Sequence, residues 1–241
     1  MRLATKIYRE PGCRRDIVLL HGTGARAEMW RRQINLLIEL GFRCIVPDLR
    51  GHGESFEPGE KTDIEAHVQD ILDTLADIDL KKPAVFAGHS LGAIISMHLA
   101  ERHEDLVSKI LAVSMPGRVP RITKEAFRWF MGWPYHSLKN SGLHQHLDWR
   151  SRELIATNEH ALEQIALNFG EMDYASNVPK AKCPVHFAVG RLDMVAPYVY
   201  CEQMHKALPN STMTIIEWAG HNCMDSQPET FNRWMVEKVK E

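Results

Sequence analysis

The chain has 241 residues, 44% of them hydrophobic and 25% charged, with 29 Lys+Arg against 31 Asp+Glu. This composition belongs to a globular protein and excludes collagen, coiled coil and disorder. A net charge of −2 excludes a strong global pull toward nucleic acid or an anionic membrane. The five cysteines (Cys13, Cys44, Cys183, Cys201, Cys223) are scattered, odd in number and without CxxC spacing. Neither a zinc ribbon nor a disulfide framework is expected, and reduced thiols fit a cytoplasmic protein. The opening Met-Arg-Leu-Ala-Thr-Lys-Ile develops no apolar signal region, and no run approaches the ~20 residues of a membrane span.

In chain order, a short first strand is expected near Leu3–Tyr8, then a buried strand at Ile17–Leu20 ending in His21-Gly22-Thr23-Gly24. Trp30, Ile34, Leu37 and Ile38 repeat at helical spacing before a strand at Cys44–Val46. Ile64, Val68, Ile71, Leu72, Leu75 and Ile78 predict a four-turn helix, opened by a Thr62-x-x-Glu65 capping box. The strand Ala84–Ala87 runs into Gly88-His89-Ser90-Leu91-Gly92 and a helix striped by Leu91, Ile94, Ile95, His98 and Leu99. Ile110–Val113 is the next strand.

From 117 to 179 no strand-like run appears, only helix-like segments carrying Phe127, Trp129, Phe130, Trp133, Tyr135, Trp149 and Phe169. About 60 residues is too long for one crossover, so this stretch is expected to be a helical cap. Strands resume at Val185–Val189 and Met213–Ile216, and Phe231, Met235 and Val239 stripe a last helix. Continuous apolar strands alternating with helices predict an α/β fold. The expectation is a mostly parallel twisted sheet of about seven strands with helices on both faces. Residues 1–116 and 180–241 form its core domain, and 117–179 form the inserted cap.

Gly88-His89-Ser90-Leu91-Gly92 carries the strongest chemical signal because it joins a strand directly to a helix. Such a turn strains its central residue and presents the Ser90 hydroxyl at the carboxyl edge of the sheet. A neutral hydroxyl needs a base, and the base needs an orienting acid. Asp193 follows one downstream strand and His221 the next, both on that same edge and in the required order. Asp225 is the rival acid, but it lies on the outgoing loop. Backbone N–H groups of Thr23 and Leu91 are expected to form an oxyanion hole. His52, His89 and His98 are read as structural, Cys223 as a packed thiol, and Arg118 and Arg121 as solvated charges.

Together, His21-Gly22-x-Gly24, Asp48-Leu49-Arg50-Gly51-His52-Gly53-Glu54-Ser55, Gly88-His89-Ser90-Leu91-Gly92, Gly190-x-x-Asp193 and Gly220-His221 resemble the α/β-hydrolase fold superfamily. The likeness spans nearly the whole chain outside the cap. In that family these positions supply the oxyanion loop, a structural loop, the nucleophile, the acid and the base. Ser90 argues against the dehalogenase and epoxide hydrolase members, which carry Asp there. The resemblance implies a serine hydrolase cleaving small-molecule carboxylic esters of small to medium apolar acyl groups, without metal or cofactor. Cap residues Phe127, Trp129, Phe130 and Trp133 are expected to face the acyl group. Two alternatives stand beside it: a ligand-binding receptor of the same fold with slow turnover, and a C–C hydrolase or lyase using the same triad.

Overall fold

Each apolar run of the sequence becomes a strand. The computed structural model describes residues 1–57, 62–168 and 172–241. Its strands are β1 (Thr5–Tyr8), β2 (Arg15–Leu20), β3 (Phe42–Pro47), β4 (Ala84–His89), β5 (Val107–Val113), β6 (Val185–Gly190) and β7 (Ser211–Ile216). They form one seven-stranded sheet in the order β1-β3-β2-β4-β5-β6-β7. Only β1, at the edge, runs antiparallel to its neighbour; the rest pair in parallel, with Ile17 opposite Val85 and His89 opposite Val113.

The helices are α1 (Arg31–Glu39), α2 (Ile64–Ala76), α3 (Leu91–Arg102), α4 (Arg121–Met131), α5 (Trp133–Ser141), α6 (Trp149–Ala156), α7 (Glu159–Asn168), α8 (Tyr198–Ala207), α9 (Cys223–Ser226) and α10 (Pro228–Lys240). Side-chain alternation along the strands builds a core on each face of the sheet. Ile17, Leu19, Cys44, Val85 and Ala87 pack with Trp30, Ile34 and Leu37 before and within α1, and with Phe231 and Met235 of α10. Val18, Leu20, Phe86 and Ile110 pack on the opposite face with Val68 and Ile71 of α2, Ile95 of α3 and Met204 of α8. The α3 helix is buried almost all round, with only His98 half-buried before Glu101. Its apolar residues therefore extend beyond a single stripe.

The chain leaves β2 through α1 toward β3, on one side, and leaves β4 through α3 toward β5, on the other. Neighbouring strands whose connections diverge in this way open a crevice at their carboxyl ends. That crevice lies between the β2 and β4 loops.

Between β5 and β6 run α4 to α7. Tyr135, Ile155 and Leu162 form a small core of their own, flanked by Phe130, Met131, Leu138 and Leu154. Ile165 of α7 joins the sheet core instead, and Asn158 N–H donates to the Gly51 carbonyl at 2.9 Å. Phe169 lies outside the described residues.

One local expectation is corrected. The α2 helix is capped by Asp63, whose carboxylate accepts the Ala66 N–H at 2.8 Å, and not by Thr62. A carboxylate is favoured there by the helix dipole as well as by the hydrogen bond. Glu65, freed from the capping box, pairs with Arg102. No helix among the described residues is long and apolar enough to cross a membrane.

Candidate active site

The turn from β4 into α3 holds Ser90 at φ 50° and ψ −112°, a left-handed backbone that a non-glycine residue adopts only under strain. Close packing enforces it. A Cβ on Gly92 would strike the Leu20 carbonyl of β2, and one on Gly88 would strike the Gly92 backbone. The Ser90 N–H is held by the Val113 carbonyl at 2.9 Å. Leu91 is the first residue of α3, a position whose N–H has no partner within the helix.

Asp193 and His221 are brought together from the loops after β6 and β7. The His221 Nδ1 lies 2.9 Å from Asp193 Oδ2 and 3.1 Å from Oδ1. Oδ1 also accepts the N–H groups of Val195 and Ala196, at 2.9 and 2.8 Å. Burial alone would raise the Asp193 carboxyl, but the imidazole charge and these three donors together hold it below the usual carboxylate range. The carboxylate thereby fixes the ring with Nε2 free to act as a base. Asp225 does not face His221; its Oδ2 accepts from Arg150 Nε at 2.7 Å.

The loop after β2 reaches Ser90. A Cβ on Gly22 would lie 3.1 Å from that of Ser90 and 2.5 Å from His89 Nδ1. Two buried histidines anchor this loop. His21 Nε2 accepts the Leu49 N–H at 2.8 Å while its Nδ1 meets the Gly22 carbonyl at 2.8 Å. His52 Nε2 accepts the Gly24 N–H at 3.0 Å while its Nδ1 meets the Arg50 carbonyl at 2.9 Å. Both patterns require a neutral ring with its proton on Nδ1. Burial enforces neutrality, lowering His21 to about 4 and His52 to about 3. Asp48 completes the anchorage, accepting from Ala27 and Glu54 N–H at 2.7 and 2.9 Å.

His89 lies beside His221 with ring centroids 4.8 Å apart and the rings tilted by 57°, and its Nε2 lies 2.9 Å from the His221 carbonyl. Burial, and then the neighbouring His221, hold it well below the usual imidazole range. It thereby fixes the His221 backbone. Cys223 is fully buried, and burial pushes its thiol up to about 12, so it presents no thiolate.

Beside His89 and His221 lies a cleft of about 190 Å3, lined also by Thr23, Gly24 and Asn222 and by Arg150, Ser151 and Leu154 of α6. Thr23 Oγ1 is buried there without a hydrogen-bond partner. None of the four aromatic residues expected at the acyl group is among those lining this cleft. Trp129 is 72% exposed and Trp133 80%, Phe130 packs in the small core of the helical segment, and Phe127 is half-buried. Aromatic density marked the segment but not its inner face. What reaches the cleft is the α6 face of Arg150, Ser151 and Leu154. Its only sequence signal is the helix start at Asp148, whose carboxylate caps the Arg150 and Ser151 N–H groups.

The chain is 27% identical to the pimeloyl-[acyl-carrier protein] methyl ester esterase of Vibrio vulnificus (strain CMCP6), a match covering 90% of this chain and 91% of that one. Among solved structures it is similar to an esterase from Exiguobacterium antarcticum, at 23% identity and a TM-score of 0.85, covering 99% and 96% of the two chains. It is also similar to the enol-lactonase from Burkholderia xenovorans LB400, at 21% identity and a TM-score of 0.86, again covering 99% and 96%. Those two likenesses establish a common fold. The family model of the alpha/beta hydrolases matches residues 17–234, from β2 to α10, and the chain belongs to that family.

Proposed function

We propose that this hydrolase cleaves carboxylic esters of small to medium apolar acyl groups through an acyl-enzyme on Ser90. The observation that carries this reading is the strained Ser90 backbone at a sheet edge shared with the His221–Asp193 pair. Ser90 Oγ attacks the ester carbonyl as His221 Nε2 takes its proton, and Asp193 stabilises the resulting imidazolium. The N–H groups of Thr23 and Leu91 receive the oxyanion. As the tetrahedral intermediate collapses, the bond to the alkoxy oxygen breaks and the alcohol leaves with the proton from His221. Water, deprotonated by the same imidazole, then releases the acid. The helices between β5 and β6 act as a cap whose α6 face closes one side of the cleft.

A p-nitrophenyl ester tests this directly: steady turnover is expected, with a burst of phenolate where deacylation is the slower step. An organophosphonate should add to Ser90 and abolish activity, and Ser90→Ala should lose the adduct and about 10³-fold or more of the rate. A single burst without turnover would favour a ligand receptor instead. Sustained turnover by Ser90→Ala would overturn the mechanism.

A further inference from the structure

The α6 residue Arg150 has a place in the cleft that ester hydrolysis itself does not require. Its side chain is 18% exposed and lies against the Trp149 ring, with the guanidinium carbon 4.8 Å from the ring centroid. Nε is taken by Asp225 Oδ2 at 2.7 Å, but Nη2 is buried without a hydrogen-bond partner. Arg31 also leans on Asp225, at 3.8 Å. Arg150 and Arg31 share the Asp225 carboxylate, and the Asp148 carboxylate also acts on Arg150, so what sets Arg150 apart is the missing acceptor at Nη2 and not a surplus of charge. A buried guanidinium nitrogen with no acceptor carries an uncompensated desolvation cost, and an arriving anion relieves it.

We propose that Arg150 selects the substrate, and that this substrate is an ester carrying a second, free carboxylate: a half-ester of a short dicarboxylic acid. This rests on the ester-hydrolase reading and narrows it, replacing a wholly apolar acyl group with one whose methylene chain ends in a carboxylate. The methylene chain of the acyl group lies along Leu154, the apolar side chain of the same α6 face that packs on Gly24. The distal carboxylate accepts from Arg150 Nη2. A carboxylate matches the one buried guanidinium nitrogen that lacks an acceptor, and a short chain matches the cleft volume of about 190 Å3.

The test compares the p-nitrophenyl half-ester of glutaric acid with p-nitrophenyl 5-methylhexanoate, in which an isopropyl group replaces the carboxylate. At low ionic strength the intact protein should favour the half-ester by about 10- to 100-fold in kcat/KM, as a charge-assisted hydrogen bond allows. Arg150→Met should abolish that preference while lowering kcat/KM for the neutral ester only a few-fold. Arg150→Lys, which keeps the charge and an ion pair to Asp225, should retain part of the preference. A preference for the neutral ester in the intact protein, or equal losses on both esters in Arg150→Met, would overturn the proposal and leave Arg150 as a tie between α6 and α9. Glutarate itself separates this failure from failure of the hydrolase reading. If no ester turns over, yet glutarate raises the melting temperature of the intact protein and not of Arg150→Met, the anion site stands and ester hydrolysis falls. If glutarate has no such effect and no ester turns over, both fall.

Discussion

Lowering the pH from 7 to 5 should destabilise this protein through the histidines that anchor the loop after β2. In the unfolded chain His21 and His52 take up a proton below about pH 6.5. In the folded chain burial delays that proton until about pH 4 at His21 and about pH 3 at His52. Between those limits the unfolded state binds more protons, so stability falls as the pH falls. Integrating from pH 7 to 5 gives about 2 kcal/mol for each histidine, or about 4 kcal/mol together. His67 and His89, also held well below the usual range by burial, act in the same direction. Glu153, whose carboxyl is raised by burial, opposes them as a single partly exposed group. Carboxylates held low, such as Asp193, titrate below this window and do not contribute to it. The assay is urea unfolding at half-unit steps between pH 7 and 5. His52→Gln offers an uncharged acceptor to the Gly24 N–H and should remove about 2 kcal/mol of the drop. A flat profile, or an undiminished drop in a folded His52→Gln protein, would refute the assignment of these rings as neutral anchors.

Asp193→Asn should lower kcat/KM on a p-nitrophenyl ester by about 10³- to 10⁴-fold, because the imidazolium loses its counter-charge and the ring its tautomer. Asp225→Asn should cost far less on a neutral ester, and the reverse ranking would move the acid to Asp225. Gly92→Ala, whose Cβ meets the Leu20 carbonyl, should destabilise by about 3 kcal/mol or fail to fold. Gly220→Ala, with open space at the same position, should stay within about 0.5 kcal/mol by urea unfolding. Iodoacetamide at pH 8 should leave Cys44 and Cys223 unmodified in the native protein, since burial pushes both thiols up to about 12. Mass spectrometry after unfolding should find all five cysteines reactive.

The strands were readable in the sequence because a sheet covered on both faces needs continuous apolar runs, and Ile17–Leu20 or Val185–Val189 fit no exposed element. The Ser90 turn was readable because its glycines answer a backbone collision between elements already recognisable as strand and helix. The shift of the α2 cap from Thr62 to Asp63 was a matter of one residue, since both are good caps and only the tertiary register decides. The α4 to α7 segment shows where such reasoning stops. Trp129 and Trp133 are as apolar as any pocket-lining residue, but which face of a helix meets the cleft depends on packing between elements far apart in sequence. Arg150 is illegible for the same reason: its meaning comes from Asp225, 75 residues away.

The small core formed by Tyr135 of α5, Ile155 of α6 and Leu162 of α7 ties the α4 to α6 region to α7 with far less buried apolar surface than either sheet core. Amide exchange should therefore run through two tiers of opening. The α4 to α6 amides should exchange by a partial unfolding that leaves β2, β4 and β5 protected, while the amides of those strands await global unfolding. Ile165 and the Asn158–Gly51 hydrogen bond pin the far end of the segment to the sheet, so this opening should leave α7 in place. Entry to the cleft then becomes a local equilibrium whose constant responds to substitutions around Tyr135, and a variant made there can change access to Ser90 without touching a residue of the site.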